Sequence, residues 1–150
     1  MRSDALAGLI APVVDADAAI FWAGVAEGRL LVPSCRDCGR RFLPPLPCCP
    51  ACRSEAIEPI EACGRGRLYS WVIMRRALDP AYAEAVPYVV AAVELEEGAR
   101  IFARLIDVDP EDPAALVAEM PLALRFVEID GQRMWAFAPA TSSEPAKSPR

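Results

Sequence analysis

The chain contains no histidine among its 150 residues. This absence excludes Ser-His-Asp and Cys-His catalysis as well as histidine metal ligands, and it removes the commonest general base. Asp, Glu, Tyr, Arg and Cys remain, but no two of them are spaced like a catalytic pair. The sequence therefore predicts a protein that is not an enzyme by itself.

Long apolar runs and basic leader segments are also missing. No run reaches the roughly 18 apolar residues of a membrane span. Residues 1–17 lack the basic start and apolar run of a secretory signal, and Asp4, Asp15 and Asp17 interrupt them. We therefore expect a cytoplasmic protein with reduced cysteines and no membrane partner.

The charge balance is acidic, and the apolar content is high. The formal net charge is −5, which argues against a nucleic-acid-binding surface. Hydrophobic residues make up 54% of the chain, a high share for a globular domain. This share indicates that a partner covers part of the surface.

Two Cys-x-x-Cys pairs are the most specific motif, and ten residues separate them. Cys35 and Cys38 form the first pair, and Cys49 and Cys52 form the second. Each short turn aims two thiolates at one point, and a hairpin can bring the two turns together. Structural zinc takes four such ligands in a closed tetrahedron with no position for a catalytic water. The spacing therefore predicts a zinc ribbon bound by all four.

Some features of this motif remain open. Iron in a rubredoxin-like centre uses the same ligand geometry as zinc, and Cys48 could replace Cys49. We prefer Cys49 because it keeps the two-residue spacing. A redox dithiol is disfavoured by the proline-rich segment 43–47, and a disulfide pair needs an oxidising compartment. Cys63 is isolated and is predicted to be a buried thiol.

A short helix should precede the ribbon. Asp17 is predicted to cap it, and Gly28 is predicted to end it. Its expected apolar face carries Ala19, Ile20, Ala23 and Ala26, with Phe21 and Trp22 beside it. A short strand at 30–33 should then enter the first cysteine turn, and a linker should run through Pro59.

The second half of the chain reads as strands. Alternating or apolar runs predict strands at 67–74, 88–95, 100–107, 122–129 and 133–138, with Asp130-Gly131 as a hairpin turn. Five strands with one longer gap fit a small Greek-key barrel of the OB type. The predicted organisation is a lead-in and helix at 1–33, the ribbon at 34–58, the barrel at 59–139 and a disordered tail at 140–150. The fold class is mainly β.

A basic and aromatic cluster lies at the start of the predicted barrel, with no acidic residue inside it. Its members are Arg65, Arg67, Arg75 and Arg76 around Tyr69 and Trp71. Guanidinium groups could bind phosphate groups. Arginines with interleaved aromatics also suit single-stranded nucleic acid, and a solvated strand edge is a third interpretation. Acidic runs at 94–97 and 107–112 disfavour a long polyanion.

The chain resembles a known family in several motifs. These are Phe21-Trp22, Gly28-Arg-Leu30, Cys35-x-x-Cys38-Gly39, Phe42-x-Pro-Pro45, Cys49-Pro-x-Cys52, Gly64-x-Gly66, Tyr69-Ser70 and Val93-Glu-Leu-x-Glu-Gly98-x-Arg100. In combination they are similar to the rubredoxin-like zinc ribbon plus OB-fold proteins, which were long known only as a domain of unknown function. The resemblance covers residues 17–139.

The resemblance implies an accessory role in acyl-CoA, lipid or polyketide metabolism. Members of the family accompany thiolase-like enzymes, aldolases or hydratases as small partner subunits. The expected acyl-CoA contacts are Arg65, Arg67, Tyr69, Trp71 and Arg75, with Trp22 lining an acyl channel. Trp22 is otherwise a core or interface residue. The alternative function is a single-stranded nucleic-acid-binding OB-fold and zinc-ribbon protein.

Overall fold

A helix and a two-stranded hairpin form the N-terminal part of the computed structural model, which describes residues 9–141. Helix α1 spans Ala19–Ala26, strand β1 spans Leu31–Cys35, and strand β2 spans Ile57–Glu61. Strands β1 and β2 pair antiparallel, from Leu31 opposite Glu61 to Cys35 opposite Ile57. The cysteine turns lie at the end of this hairpin, because β1 finishes at the first cysteine.

Five strands then close into a barrel in the order β3-β4-β5-β7-β6. They are β3 Arg65–Met74, β4 Tyr88–Leu95, β5 Arg100–Leu105, β6 Pro121–Ile129 and β7 Gln132–Pro139, with 3₁₀ turns at Pro80–Tyr82 and Pro113–Ala115. Only the β5–β7 pairing is parallel among those described. This is the OB-type barrel that the sequence predicts, so the fold class is confirmed.

One apolar core joins the helix and the hairpin base to the barrel. Phe137, Leu68, Val89 and Val93 fill the barrel interior, and the core continues through Phe21, Val25, Leu30 and Val32 of the N-terminal part. Burial of each large side chain stabilises the fold by about 1.5–3 kcal/mol. The helix is therefore packed against the barrel as one body.

A β-bulge in β3 decides which side chains face outward. The β3–β4 register shifts between Leu68 and Ser70, so that Tyr69 is inserted without a partner. Arg67 lies outside before the bulge, whereas Trp71 pairs with the fully buried Ala91 and packs against the core after it. One inserted residue thus moves the odd-numbered positions from the outer to the inner face.

The glycine before this bulge has a packing role. A Cβ on Gly66 would lie 2.7 Å from Val93 Cγ1 and 2.8 Å from the Glu94 carbonyl oxygen. The close approach of β3 to β4 therefore requires a residue without a side chain at this position.

Three local predictions are wrong. Asp17 does not cap α1; instead the Asp15 carboxylate accepts a hydrogen bond from the Ala18 N–H at 2.8 Å. The four residues of the expected apolar face (19, 20, 23 and 26) are all exposed, and the buried helix residues are Phe21, Gly24 and Val25. The segment through Pro59 is not a linker but strand β2.

Most other expectations about the chain are met. The helix ends before Gly28, which has φ +75°, and the β6–β7 turn has positive φ at Asp130 and Gly131. The predicted strand at 30–33 is observed at Leu31–Cys35. The predicted tail at 140–150 lies outside the described residues from residue 142 onward.

Candidate metal centre and docking surface

The four predicted cysteines meet at one point. Their sulfur atoms all lie within 4.8 Å of one another. The Cys35–Cys52 and Cys38–Cys49 Sγ pairs are each 3.6 Å apart. Zn–S bonds of about 2.3 Å in a tetrahedron give sulfur separations of about 3.8 Å. The donor set therefore fits a tetrahedral metal ion, with Cys35 and Cys49 buried and Cys38 and Cys52 exposed.

The two cysteine turns have nearly the same backbone. The Gly39 N–H donates to the Cys35 carbonyl, and the Arg53 N–H donates to the Cys49 carbonyl, each at 2.9 Å. Gly39 has φ +74° and Arg53 has φ +63°. Glycine adopts this left-handed backbone freely, whereas Arg53 adopts it without the conformational freedom of glycine.

The thiols of the centre differ in acidity. The Cys52 N–H, and after it the Ala51 N–H, hold the pKa of Cys49 down to about 6. The Ser54 N–H lowers the pKa of Cys52, but the Cys38 and Cys35 sulfurs outweigh it and raise that pKa to about 12. Sulfur atoms this close disfavour four simultaneous thiolates, and a bound cation would offset that repulsion.

The two remaining cysteines lie outside this cluster. Cys49 supplies the sulfur within the cluster, whereas Cys48 is half-buried beside it. Cys63 is half-buried rather than buried as predicted, and its thiol donates to Glu96 Oε2 at 3.5 Å. Partial burial first, and then Glu97 and Glu96, raise the pKa of the Cys63 thiol, so it is a weak nucleophile at neutral pH.

The basic and aromatic cluster does not form one surface. Arg65, Arg67 and Tyr69 lie outside the barrel, whereas Trp71 packs against its core. The three arginines predicted to contact acyl-CoA also each have an acidic neighbour from elsewhere in the chain. Arg65 pairs with Glu96 at 2.7 Å, Arg67 with Glu119 at 3.9 Å and Arg75 with Glu111 at 2.8 Å. The sequence alone does not indicate these pairs, because each acidic residue lies 31 or more positions from its arginine.

Trp22 belongs to an aromatic cluster between helix and barrel. Its ring centroid lies 5.8 Å from that of Phe21 and 5.4 Å from that of Trp135. The Trp135 indole N–H donates to the Phe102 carbonyl at 2.8 Å. Trp22 therefore helps attach α1 to β7. Sequence reasoning missed Trp135, whose role depends on a contact between distant elements.

An apolar groove lies between α1 and the ribbon. Its volume is about 260 Å³, and Ile20, Leu46 and Ile57 line it together with Pro33, Pro45, Pro47 and Pro59. Ile20 is 63% exposed, and Asp17 and Glu55 also line the groove. We call this feature the ribbon groove. Its apolar floor and acidic lining suit an apolar partner segment that carries a basic residue.

A zinc ribbon followed by an OB-fold barrel is the class that this fold and metal centre define. Residues 22–58 match the family model described as "ChsH2, rubredoxin-like zinc ribbon domain". Residues 59–127 match the model "ChsH2, C-terminal OB-fold domain". The chain therefore belongs to the ChsH2-type, or DUF35, family, and the resemblance drawn from its motifs is confirmed.

Relatives of this chain bear the names of complex subunits and scaffolds. A "DUF35 domain-containing scaffold protein" of Methanothermobacter thermautotrophicus is 36% identical over 99 residues, covering 65% of this chain and 73% of that relative. A "Probable enoyl-CoA hydratase alpha subunit" of Thermomonospora curvata is 34% identical over 134 residues. That match covers 89% of this chain but only 40% of the relative's length.

A solved structure shares the fold and much of the sequence. A chain of the "Ltp2-ChsH2(DUF35) aldolase" superposes with a TM-score of 0.76 at 33% identity, covering 87% of this chain and all of that one. Within residues 9–141, no helix is long and apolar enough to cross a membrane.

Proposed function

We propose that this chain is a non-catalytic subunit that docks onto an acyl-CoA enzyme and helps to hold the acyl-CoA. The enzyme is of the thiolase-like, aldolase or hydratase type. The observation that carries this proposal is the exposed apolar side of α1. Relatives named as scaffold, hydratase and aldolase subunits support the same class of partner.

The helix argues for a partner because it is apolar on both sides. Phe21 and Val25 are buried against the barrel, while Ile20 and the alanines of the opposite side face solvent. A helix that is hydrophobic all round is normally covered on all sides. The ribbon groove continues this apolar side, so a partner segment here would bury surface that the isolated chain leaves open.

The metal in the ribbon is proposed to be structural zinc held by Cys35, Cys38, Cys49 and Cys52, although iron would use the same geometry. Bound metal supplies cohesion to the two cysteine turns and no chemistry, because all four ligand positions come from protein. With no histidine in the chain, catalysis is assigned to the partner.

Coenzyme A contacts are proposed on the outside of β3. Arg65, Arg67 and Tyr69 are exposed there, and the exposed Arg75 directly follows the strand. Exposed ion pairs contribute only about 0–1 kcal/mol, so a phosphate can displace Glu119 or Glu111. Trp71 and Trp22 would act indirectly, through the packing of β3 and α1.

Copurification tests this proposal. An affinity-tagged chain expressed in its native host should retain an acyl-CoA enzyme, identified by its mass. Ile20→Glu should lose that enzyme, because the charge falls in the ribbon groove. Val117→Glu is the matched control, since Val117 is 59% exposed on a barrel loop.

Two further results bear on function. Charge reversal at Arg67 and Arg75 should weaken coenzyme A binding by the complex without unfolding the chain.

The pure chain alone should turn over no acyl-CoA; robust thiolysis or hydration by it would overturn the proposal. Tight oligonucleotide binding at physiological salt, without any copurifying acyl-CoA enzyme, would favour the nucleic-acid alternative.

A further inference from the structure

A second apolar surface covers the outside of strands β3, β4 and β5. The bulge at Tyr69 turns Val72 outward, opposite Val90 of β4, and Val90 lies opposite Arg104 of β5. Phe102 is the next outward residue of β5 and is 72% exposed, and Val72 is 56% exposed. We call the surface formed by Val72, Val90, Phe102, Tyr88 and Arg104 the outer barrel face.

Arg104 is an unusual cation on this face. Its guanidinium lies over the Tyr88 ring, 4.4 Å from the centroid, and burial lowers its pKa. Among the described residues it forms no ion pair with a carboxylate. Arg100, four residues earlier on the same side of β5, shows the contrast. It lies 3.5 Å from the Tyr69 centroid and pairs with Glu94 at 3.0 Å.

A half-buried guanidinium without an anion loses hydration, and the contact with the Tyr88 ring offsets only part of that loss. A carboxylate brought by another molecule would complete its interactions. Arginine and aromatic residues are also the types that dominate the energy of protein interfaces. The outer barrel face therefore offers an apolar area and one defined position for a negative charge.

The shape and charge of this face select the kind of ligand. Small molecules bind in concave pockets, whereas neither the ribbon groove nor the pocket beside Arg67 and Glu119 includes Val72, Phe102 or Arg104. A nucleic-acid strand needs a run of free cations, but Arg100 is paired with Glu94 and Arg67 lies near Glu119. A protein segment satisfies both the apolar area and the single unpaired charge.

We propose that the outer barrel face is a second docking surface, which binds a protein segment with apolar side chains over Val72 and Phe102 and a carboxylate on Arg104. The identity of the occupant as part of the acyl-CoA enzyme assembly rests on the proposed function; the surface itself does not. The ribbon groove has an acidic lining and therefore favours a basic residue in its partner, whereas the outer barrel face favours an acidic one.

Site-specific photo-cross-linking in the native host tests this inference. A benzoylphenylalanine at position 102 should cross-link to a protein segment in which Asp or Glu adjoins apolar residues, mapped by mass spectrometry. The same probe at position 117 is the control. Cross-links from position 102 to nucleic acid, to a second copy of this chain, or to nothing would each overturn the inference.

Reversal of the charge at Arg104 provides a second test of the docking surface. Arg104→Glu should lower the cross-linking yield and the affinity on the order of tenfold or more. Arg104→Lys should retain much of both. Replacing the partner's cross-linked carboxylate by lysine should restore binding to Arg104→Glu, and failure to restore it would refute the proposed pair. Melting curves should show that these variants remain folded.

The two proposals fail in distinguishable ways. If Ile20→Glu abolishes the acyl-CoA complex while Phe102→Ser and Arg104→Glu leave its affinity unchanged, the outer barrel face is refuted and the proposed function stands. If position 102 cross-links to an acidic, apolar segment of a protein outside acyl-CoA metabolism and no acyl-CoA enzyme copurifies with the chain, the docking surface stands and the proposed function fails.

Discussion

The ribbon and the barrel are stabilised by different means. We call the end of the β1–β2 hairpin that carries the two cysteine turns the ribbon tip. Its buried cluster consists of Cys35, Phe42 and Cys49, with Ile57 packed beside it. The barrel has a continuous apolar interior that includes Leu68, Val93, Leu122 and Phe137. The few apolar side chains of the ribbon tip cannot offset the conformational entropy lost when its loop is ordered. We therefore expect the ribbon tip to depend on a bound metal ion and the barrel to fold without one.

Removing one sulfur ligand should have the largest effect. We expect Cys49→Ser to abolish stoichiometric metal and unfold the ribbon tip, because structural zinc contributes on the order of 10 kcal/mol to folding in small peptides. Elemental analysis gives the metal content, and amide NMR spectra should show the barrel still folded. Cys48→Ser is the matched control and should keep its metal. One metal per chain in Cys49→Ser would contradict the assigned ligand set.

Truncation of a side chain in the barrel core should lower stability but leave the metal content unchanged. Leu68 is fully buried in β3, and Leu68→Ala should lower the free energy of unfolding by about 2–5 kcal/mol through lost burial and a residual cavity. Metal content should stay at the wild-type value. Denaturant titration measures the first quantity and elemental analysis the second. Val117→Ala, at an exposed position, should change stability by less than about 0.5 kcal/mol. Loss of metal in folded Leu68→Ala would show that the two regions are not independent.

The two cysteine turns permit a smaller and sharper comparison. Arg53 occupies a left-handed backbone position that costs a non-glycine residue about 1–2 kcal/mol. Arg53→Gly should therefore raise the stability of the metal-bound protein, by less than about 1 kcal/mol because glycine also frees the unfolded chain. Gly39→Ala should lower it, although its Cβ would meet nothing within 4 Å. Thermal melts of both variants provide the measurement. Equal shifts in the same direction would exclude backbone strain as the cause.

The sequence predicts the barrel well because each strand carries its own signal. Strand β4 is observed at Tyr88–Leu95, as its apolar run predicts. The cysteine spacing likewise predicts the metal ligands, since the two turns and the hairpin between them are local. Strand β2 was missed because Pro59 and its glutamates suggest a loop, and its pairing with β1 is not encoded locally.

Other features depend on tertiary structure that no local pattern contains. Nearly every residue of α1 is apolar, so periodicity could not tell its buried side from its exposed side. The bulge at Tyr69 separates Trp71 from Arg67, although alternation places them on the same face. The acids near Arg65, Arg67 and Arg75 come from turns that are distant in the sequence. The proposed coenzyme A contacts thus remain predictions, whereas the metal ligands meet in the structure.

The end of α1 sets an order of events during synthesis of the chain. The Arg133 guanidinium of β7 donates to the Ala26 carbonyl at 2.7 Å, across 107 positions. A helix of 8 residues is not stable alone in water, and its aromatic contacts with Trp135 also come from the last strand. The helical side of the ribbon groove can therefore form only after β7 has left the ribosome. A partner that binds this groove would therefore distinguish chains in which β7 has folded from those in which it has not.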